Sequence, residues 1–309
     1  MPSSLLFVIA SLIWGSTFWA ITLQLGQVPP AVSVIYRFAL ASLTLFAICL
    51  VRRDRLRLPW RAQRWMILQG FLTFGLSYVC TYNAEQYVVS ALVAVMFALM
   101  VFFTPICAHI GFGKPIPART WSAGTAAIAG VLLMFYHALT TAFDELKAGG
   151  NGHFLAGVLL ATAASFASSA GSVVVGEVRK EASNLPLTMA WSMLWGTLMV
   201  TAYALLSGQQ FSLPAAPRYL AGLVYLAIFG SVIAFYAYFT LINRIGPQKA
   251  VYVTVVTPVI SVLLSIKLEN YRPGVLEWTG MTLCLASVAW ALRAPPAPVI
   301  NQDNLLEIP

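Results

Sequence analysis

The sequence predicts an all-α polytopic membrane protein, with ten transmembrane helices arranged as two inverted five-helix repeats. Three observations carry that reading. Only 9% of the 309 residues are charged and 60% are hydrophobic, whereas a soluble domain carries about 25% charged residues. Apolar runs near 20 residues, the length that crosses a bilayer, recur ten times. The second half of the chain also echoes the first. The charge deficit excludes an ordinary cytosolic enzyme and a disordered chain.

The runs are 4–23, 30–51, 64–84, 88–111, 118–138, 153–178, 186–206, 218–241, 247–267 and 274–292. The first lacks a basic leader segment and is long for a signal peptide, so it is read as a retained helix. QVPP at 27–30 separates it from the second. The basic stretch Arg52 to Arg64 separates the second from the third. KPIP at 114–117, KAGGNG at 147–152, SNLP at 183–186 and IGP at 245–247 punctuate the later runs. No connection is long enough for a further domain. The chain divides into a first repeat, 1–152, a second, 153–293, and a disordered tail, 294–309.

The net charge of +8 does not point to nucleic acid, because six basic residues sit in one short loop and the aromatics lie in apolar runs. The basic residues instead set topology. Arg52, Arg53, Arg55, Arg57, Arg61, Arg64, Lys114, Arg119, Arg179, Lys180, Arg244, Lys249 and Arg293 fall on one side; Lys147, Arg218, Lys267 and Arg272 fall on the other. The positive-inside rule then places both termini in the cytoplasm and the connections 139–152 and 268–273 outside.

Residues 74–106 and 229–259 both open with Phe-Gly, carry aromatics seven to nine residues on, and close with Thr-Pro-aliphatic. Phe74 and Phe229 are 155 apart and Pro105 and Pro258 are 153 apart, close to half the chain. Five spans per copy would invert one copy relative to the other, the plan of secondary transporters.

LIWGSTFWAI at 12–21, YRFALASL at 36–43, the run from Tyr236 to Glu269 and Trp278-Thr279-Gly280 together resemble the drug/metabolite transporter superfamily in its EamA-like branch. Within it the aromatic load is most similar to bacterial exporters of aromatic amino acids. The resemblance implies a ten-helix exporter of amino acids and similar small metabolites in the bacterial inner membrane. It implies neither enzyme activity nor a cofactor. That family often carries Gly-Glu before the last helix of each half; here the matching pairs are Gly113-Lys114 and Leu268-Glu269.

Candidate substrate-binding residues follow from depth and spacing. Trp14 lies near the middle of its run, and Trp191 with Trp195 and Tyr78 with Tyr82 are four apart, so each pair shares a helix face. Such aromatics at mid-membrane depth suggest an aromatic-lined cavity. Tyr252 and the adaptable Met96 and Met100 are added as lining. Arg37, the one charge inside a run, is read as structural, holding its helix to neighbours. Glu85 is read as a solvated residue beyond the third run. Ala161, Ser165 and Ser169, and Ala164, Ser168 and Ser172, give a small-residue face for close helix approach. Pro105 and Pro258 each interrupt a run and are read as matched bends or hinges.

An intramembrane enzyme and a channel are the alternatives. Ser77 and Ser231 lack a nucleophile's setting, no HExxH signature occurs, and no ring of charges is visible. His109 and His137 are too isolated for a metal site, and Cys49, Cys80, Cys107 and Cys284 read as buried apolar residues. The expected partners are the lipid bilayer and a small-molecule substrate. Oligomeric state is not encoded legibly, and a homodimer stays open. The scarcity of intramembrane acids favours facilitated exit over proton coupling.

Overall fold

The computed structural model describes residues 1–116, 118–147 and 152–292. The expected tail, 294–309, lies outside the described residues. Helices follow one another through short connections, and no strand occurs among the described residues. They are α1 (Ser3–Thr22), α2 (Pro30–Val51), α3 (Trp60–Gln69), α4 (Tyr78–Ala84), α5 (Ser90–Phe97), α6 (Met100–Phe112), α7 (Ala118–Met134), α8 (Tyr136–Lys147), α9 (His153–Glu181), α10 (Leu185–Leu206), α11 (Pro217–Ala227), α12 (Ala234–Ile245), α13 (Pro247–Ala250), α14 (Val253–Leu268) and α15 (Val275–Leu292). π-helical turns Gly70–Ser77 and Ile228–Ile233 join α3 to α4 and α11 to α12.

Helix ends follow local chemistry. Pro30, Pro217 and Pro247 open α2, α11 and α13, where a missing N–H costs nothing. Asn184 caps α10 by accepting from Leu187 N at 3.3 Å. Gly113, at φ 64°, ends α6 in the left-handed region that glycine tolerates.

Six helical segments are long and apolar enough to cross a membrane among the described residues: Ser3–Thr22, Pro30–Val51, His153–Glu181, Leu185–Leu206, Pro217–Ile245 and Pro247–Leu268. α5 and α6, bent by 42° at their junction, would make a seventh. Among the described residues, no helix within the expected runs 64–84, 118–138 and 274–292 meets that measure. For 64–84 the reason is a polar load turned inward: Gln69, Thr73, Ser77 and Thr81 are all buried. For 118–138 the helix breaks at Phe135, and α8 then occupies part of the expected connection, with Leu139 packed beside Phe135 and Phe154.

Each proline read as a bend has a break in the helix ladder upstream of it. Pro105 and Pro258 sit inside α6 and α14. The breaks lie further N-terminal, at Ala98–Leu99 and Val251–Tyr252, where three-residue hydrogen bonds (Val101 N to Ala98 O, 3.2 Å; Thr254 N to Val251 O, 2.9 Å) replace the four-residue ladder. The prolines remove a donor one to two turns downstream and do not mark the break itself.

α2 packs on α10 and α7 on α15; α1 lies against α14 and α12, and α9 against α4, α5 and α6. Glycines make the closest approaches. A Cβ on Gly130 would meet Gly280 O at 2.7 Å, and one on Gly280 would meet Gly130 O at 2.5 Å. Gly70 and Gly196 bring α10 onto the first π turn in the same way, a Cβ on Gly196 lying 2.7 Å from Gly70 O. Backbones in such contact tolerate no side chain. The small face of α9 is buried at Ala161, Ala164, Ser165, Ser169 and Ser172, and Ala164 O accepts from Ser77 Oγ at 2.8 Å.

Candidate functional site: an aromatic cavity between the halves

The cavity sits where α1, α4, α9, α12 and α14 converge with the α5–α6 junction. α1 supplies Trp14, Thr17, Phe18 and Ile21; α4 supplies Tyr78 and Thr81; α12 supplies Phe235 and Tyr238; Phe97, Met100, Ser168, Thr254 and Thr257 complete it. About 540 Å³ of space lies between its lining atoms, the open part included.

The aromatic wall is built edge to face. Trp14 meets Phe235 at 5.0 Å and 70° and Tyr238 at 4.9 Å and 61°, and Tyr78 meets Phe38 at 4.7 Å and 74°. These separations suit ring quadrupoles. Trp14 Nε1–H donates to Gly230 O at 3.2 Å, a carbonyl of the second π turn, so the indole is fixed through its polar edge. Thr17, Thr81 and Thr254 donate their hydroxyl protons to backbone carbonyls three or four residues back, which leaves oxygen lone pairs free to accept. The site can therefore hold a flat apolar group and accept hydrogen bonds from a polar one.

Behind Tyr78 lies Arg37, fully buried. Its Nε donates to Ser231 Oγ at 2.9 Å, its Nη1 to Tyr82 OH at 3.4 Å and its Nη2 to Tyr78 OH at 3.5 Å, and the guanidinium sits over the Tyr78 ring, 4.6 Å from its centroid. Gly230 permits the approach, since a Cβ there would meet Arg37 Nη2 at 3.1 Å. Arg37 thus ties α2 to α4 and to the second π turn.

Of the expected lining residues, the structure brings Trp14, Tyr78 and Met100 to the cavity. Tyr82 lies behind it, accepting from Arg37 and donating to Gln24 Oε1 at 3.0 Å. Met96 and Tyr252 pack in the adjoining core beside Phe97 and Phe18. Trp191 and Trp195 are placed elsewhere: their indoles donate to Leu56 O at 2.9 Å and Gln63 Oε1 at 2.8 Å, pinning the 52–63 segment. Glu85 is not a solvated loop residue; it is 7% exposed, because the chain turns there into α5 under the start of α9, with Gly157 against Val88. Phe235 and Tyr238 were missed as lining; the aromatics seven to nine residues beyond Phe229 were the available signal for Tyr238. His109 and His137 are exposed, and among the described residues no three His, Cys, Asp or Glu side chains gather as metal ligands.

Helices of this length and apolarity packed around an aromatic cavity define a multi-pass membrane protein. The EamA-like transporter family matches residues 1–136 and 155–293, and the chain belongs to that family. It is similar over 310 residues, at 29% identity covering 95% of this chain and 94% of the other, to the uncharacterized inner membrane transporter YedA of Escherichia coli (strain K12). It is 25% identical over 287 residues to an uncharacterized transporter of Archaeoglobus fulgidus, covering 92% and 95% of the two chains, and 23% identical over 277 residues to protein PagO of Salmonella typhimurium, covering 88% and 85%. A crystal structure of a protein 19% identical shares the fold with a TM-score of 0.65, covering 94% of this chain and 96% of the other. The protein is a membrane transporter.

Proposed function

We propose that the chain exports amino acids, aromatic or large apolar ones preferred, and similar small metabolites across a bacterial inner membrane by alternating access. The observation that carries this reading is the cavity wall of Trp14, Tyr78, Phe235 and Tyr238, with threonine hydroxyls among the lining and no carboxylate, lysine, arginine or histidine there. A side chain stacks on the rings, while an ammonium group donates to threonine oxygens. The name of the Escherichia coli relative supports the inner membrane.

Ten spans in two inverted repeats, 1–152 and 153–293, fit the packing. The pairing of α1 with α14 is mirrored by that of α9 with α5 and α6, and the pairing of α1 with α12 by that of α9 with α4. The contacts of α2 with α10 and of α7 with α15 are each their own mirror image. Both Phe-Gly pairs lie in π turns and both chain breaks precede a Thr-Pro. Two such halves rocking about the cavity would expose it to either side in turn.

Purified protein in proteoliposomes, assayed by exchange of labelled phenylalanine, tryptophan and alanine, tests the function. Exchange of the aromatic amino acids faster than of alanine is expected; no exchange of any amino acid would remove this reading.

A topology test accompanies it. Ser212, exposed between α10 and α11, is expected outside the cell with both termini inside. Ser212→Cys should label in intact cells with an impermeant maleimide, the four natural cysteines being buried. Labelling only after membrane disruption would invert the orientation.

A further inference from the structure

Two polar rows run along the helices of the cavity and end in acids at the same end of the bundle. Thr73, Ser77, Thr81 and Glu85 are spaced four apart on one face of the α3–α4 rod, and Thr257, Ser261, Ser265 and Glu269 are spaced four apart on α14. The six hydroxyls of the two rows are buried, as is Glu85, while Glu269 is half-buried. Thr81 and Thr257 line the cavity, so each row leads from the cavity to its acid. One row comes from each half of the chain.

The two carboxyls are treated differently. Glu269 Oε2 accepts from Ser90 Oγ at 2.5 Å and from Ser265 Oγ. Both Glu85 oxygens are buried with no hydrogen-bond partner, and Ser261 Oγ and Gln24 Nε2 are likewise unpartnered. A buried carboxylate without donors is far costlier than the neutral acid. The titratable and charged groups around Glu85 are Glu269 beyond α14, Arg37 from α2, and Tyr78 and Tyr82 on α4. His153 opens α9, its ring 5.1 Å from that of Tyr87 and tilted against it, and Lys267 is exposed. Burial first, and then Glu269, push the Glu85 carboxyl well above the usual carboxylate range, against the pull of Arg37.

Resting on the transporter reading above, we infer that Glu85, set by Glu269, is a proton-binding site that takes up one proton when this end of the cavity closes without substrate and gives it up when the opposite end is open, so that substrate leaves in exchange for protons. In the closed arrangement without substrate Glu85 holds one proton, taken from water at this end before it closed. When the opposite end is open, Thr81, which lines the cavity, stands one turn away as the route by which that proton passes from Glu85 to cavity water. A substrate ammonium on the Thr81 hydroxyl oxygen then balances the Glu85 carboxylate, so this end reopens with substrate and without the proton. One proton has then moved from this side to the opposite side for each substrate that moved the other way. The scarcity of acids in the spans, which spoke against proton coupling, counted Glu85 as a surface residue.

The test has two readouts. In infrared spectra of the purified protein at neutral pH, the carbonyl stretch of a protonated carboxylic acid should be present, should be lost in Glu85→Gln, and in Glu269→Gln should titrate away at lower pH. In proteoliposomes with an internal pH dye, phenylalanine added to the wild type should move protons. Glu85→Gln, an isostere of the neutral form, should keep phenylalanine exchange but lose the proton signal and the acceleration by a pH gradient. A missing infrared band in the wild type, or gradient-driven flux unchanged in Glu85→Gln, would overturn the inference. Wild-type exchange without proton movement would overturn it while leaving the transporter reading intact. No exchange of any amino acid would remove the substrate assignment, and the infrared band would still decide the proton site.

Discussion

Replacing Trp14 with alanine is expected to cut transport of tryptophan and phenylalanine far more than that of alanine. The indole closes the cavity against Phe235 and Tyr238, so its removal takes away a stacking surface that a small substrate never uses. A ring contact is worth about 0.5–1.5 kcal/mol beyond area burial, so preference for the aromatic substrate should fall about two- to tenfold per lost contact. Trp14→Phe separates the two roles of the residue. It keeps a ring in the cavity but removes the donor to Gly230 O, a hydrogen bond worth about 0.5–1.5 kcal/mol net in stability. Selectivity should survive in Trp14→Phe while thermal stability in detergent drops. Equal loss for all substrates in Trp14→Ala, at normal expression, would mean that the residue only packs.

Gly280→Ala should be among the most damaging single changes in the chain. The added Cβ would lie 2.5 Å from Gly130 O, and both atoms belong to helix backbones that cannot turn aside as a side chain would. Overpacking against movable neighbours costs about 1–3 kcal/mol; against backbone the whole α7–α15 pair must separate. Gly70→Ala, facing Ser192 O and Gly196 N, should behave alike between the first π turn and α10. Gly176→Ala is the control: it lies within α9 with nothing within 4 Å of the new Cβ and should be neutral or stabilising by up to about 1 kcal/mol. Thermal melting in detergent, followed by size-exclusion chromatography, measures all three. A Gly280→Ala protein as stable as Gly176→Ala would show that the two helices do not touch.

The helical class and the cavity's first anchors were legible in the sequence because both rest on local signals. Run length is local, and so is the depth of Trp14 within its run. Which face of a helix looks toward the centre is not local. Trp191 and Trp195 share a face, as their spacing requires, yet that face meets Leu56 and Gln63. Spacing fixes neighbours on one helix and says nothing of the helix opposite. Glu85 was misjudged for a related reason: a residue just past an apolar run looks solvated unless the next helix folds over it. The four-residue polar rows that end in Glu85 and Glu269 were visible in the sequence, and only their convergence at one end of the bundle gives them meaning. Each break in the ladder lies six to seven residues before its proline, so the prolines signalled its neighbourhood and not its position.

The two π turns have a consequence for how this fold can change by insertion and deletion. A π turn is an α-helix that has absorbed a surplus residue. Each residue of an α-helix turns the chain by about 100°. Loss of one residue from Ile228–Ile233 would let the rod from Pro217 to Ile245 become regular, but everything on one side of the deletion would swing by that angle relative to the other. Phe235 and Tyr238 would leave the cavity wall or Tyr219 and Leu223 would leave the core. The surplus residue works as a phase shifter between two halves of one rod, and the reading frame of faces along that rod cannot drift by a single position without losing one of its partners.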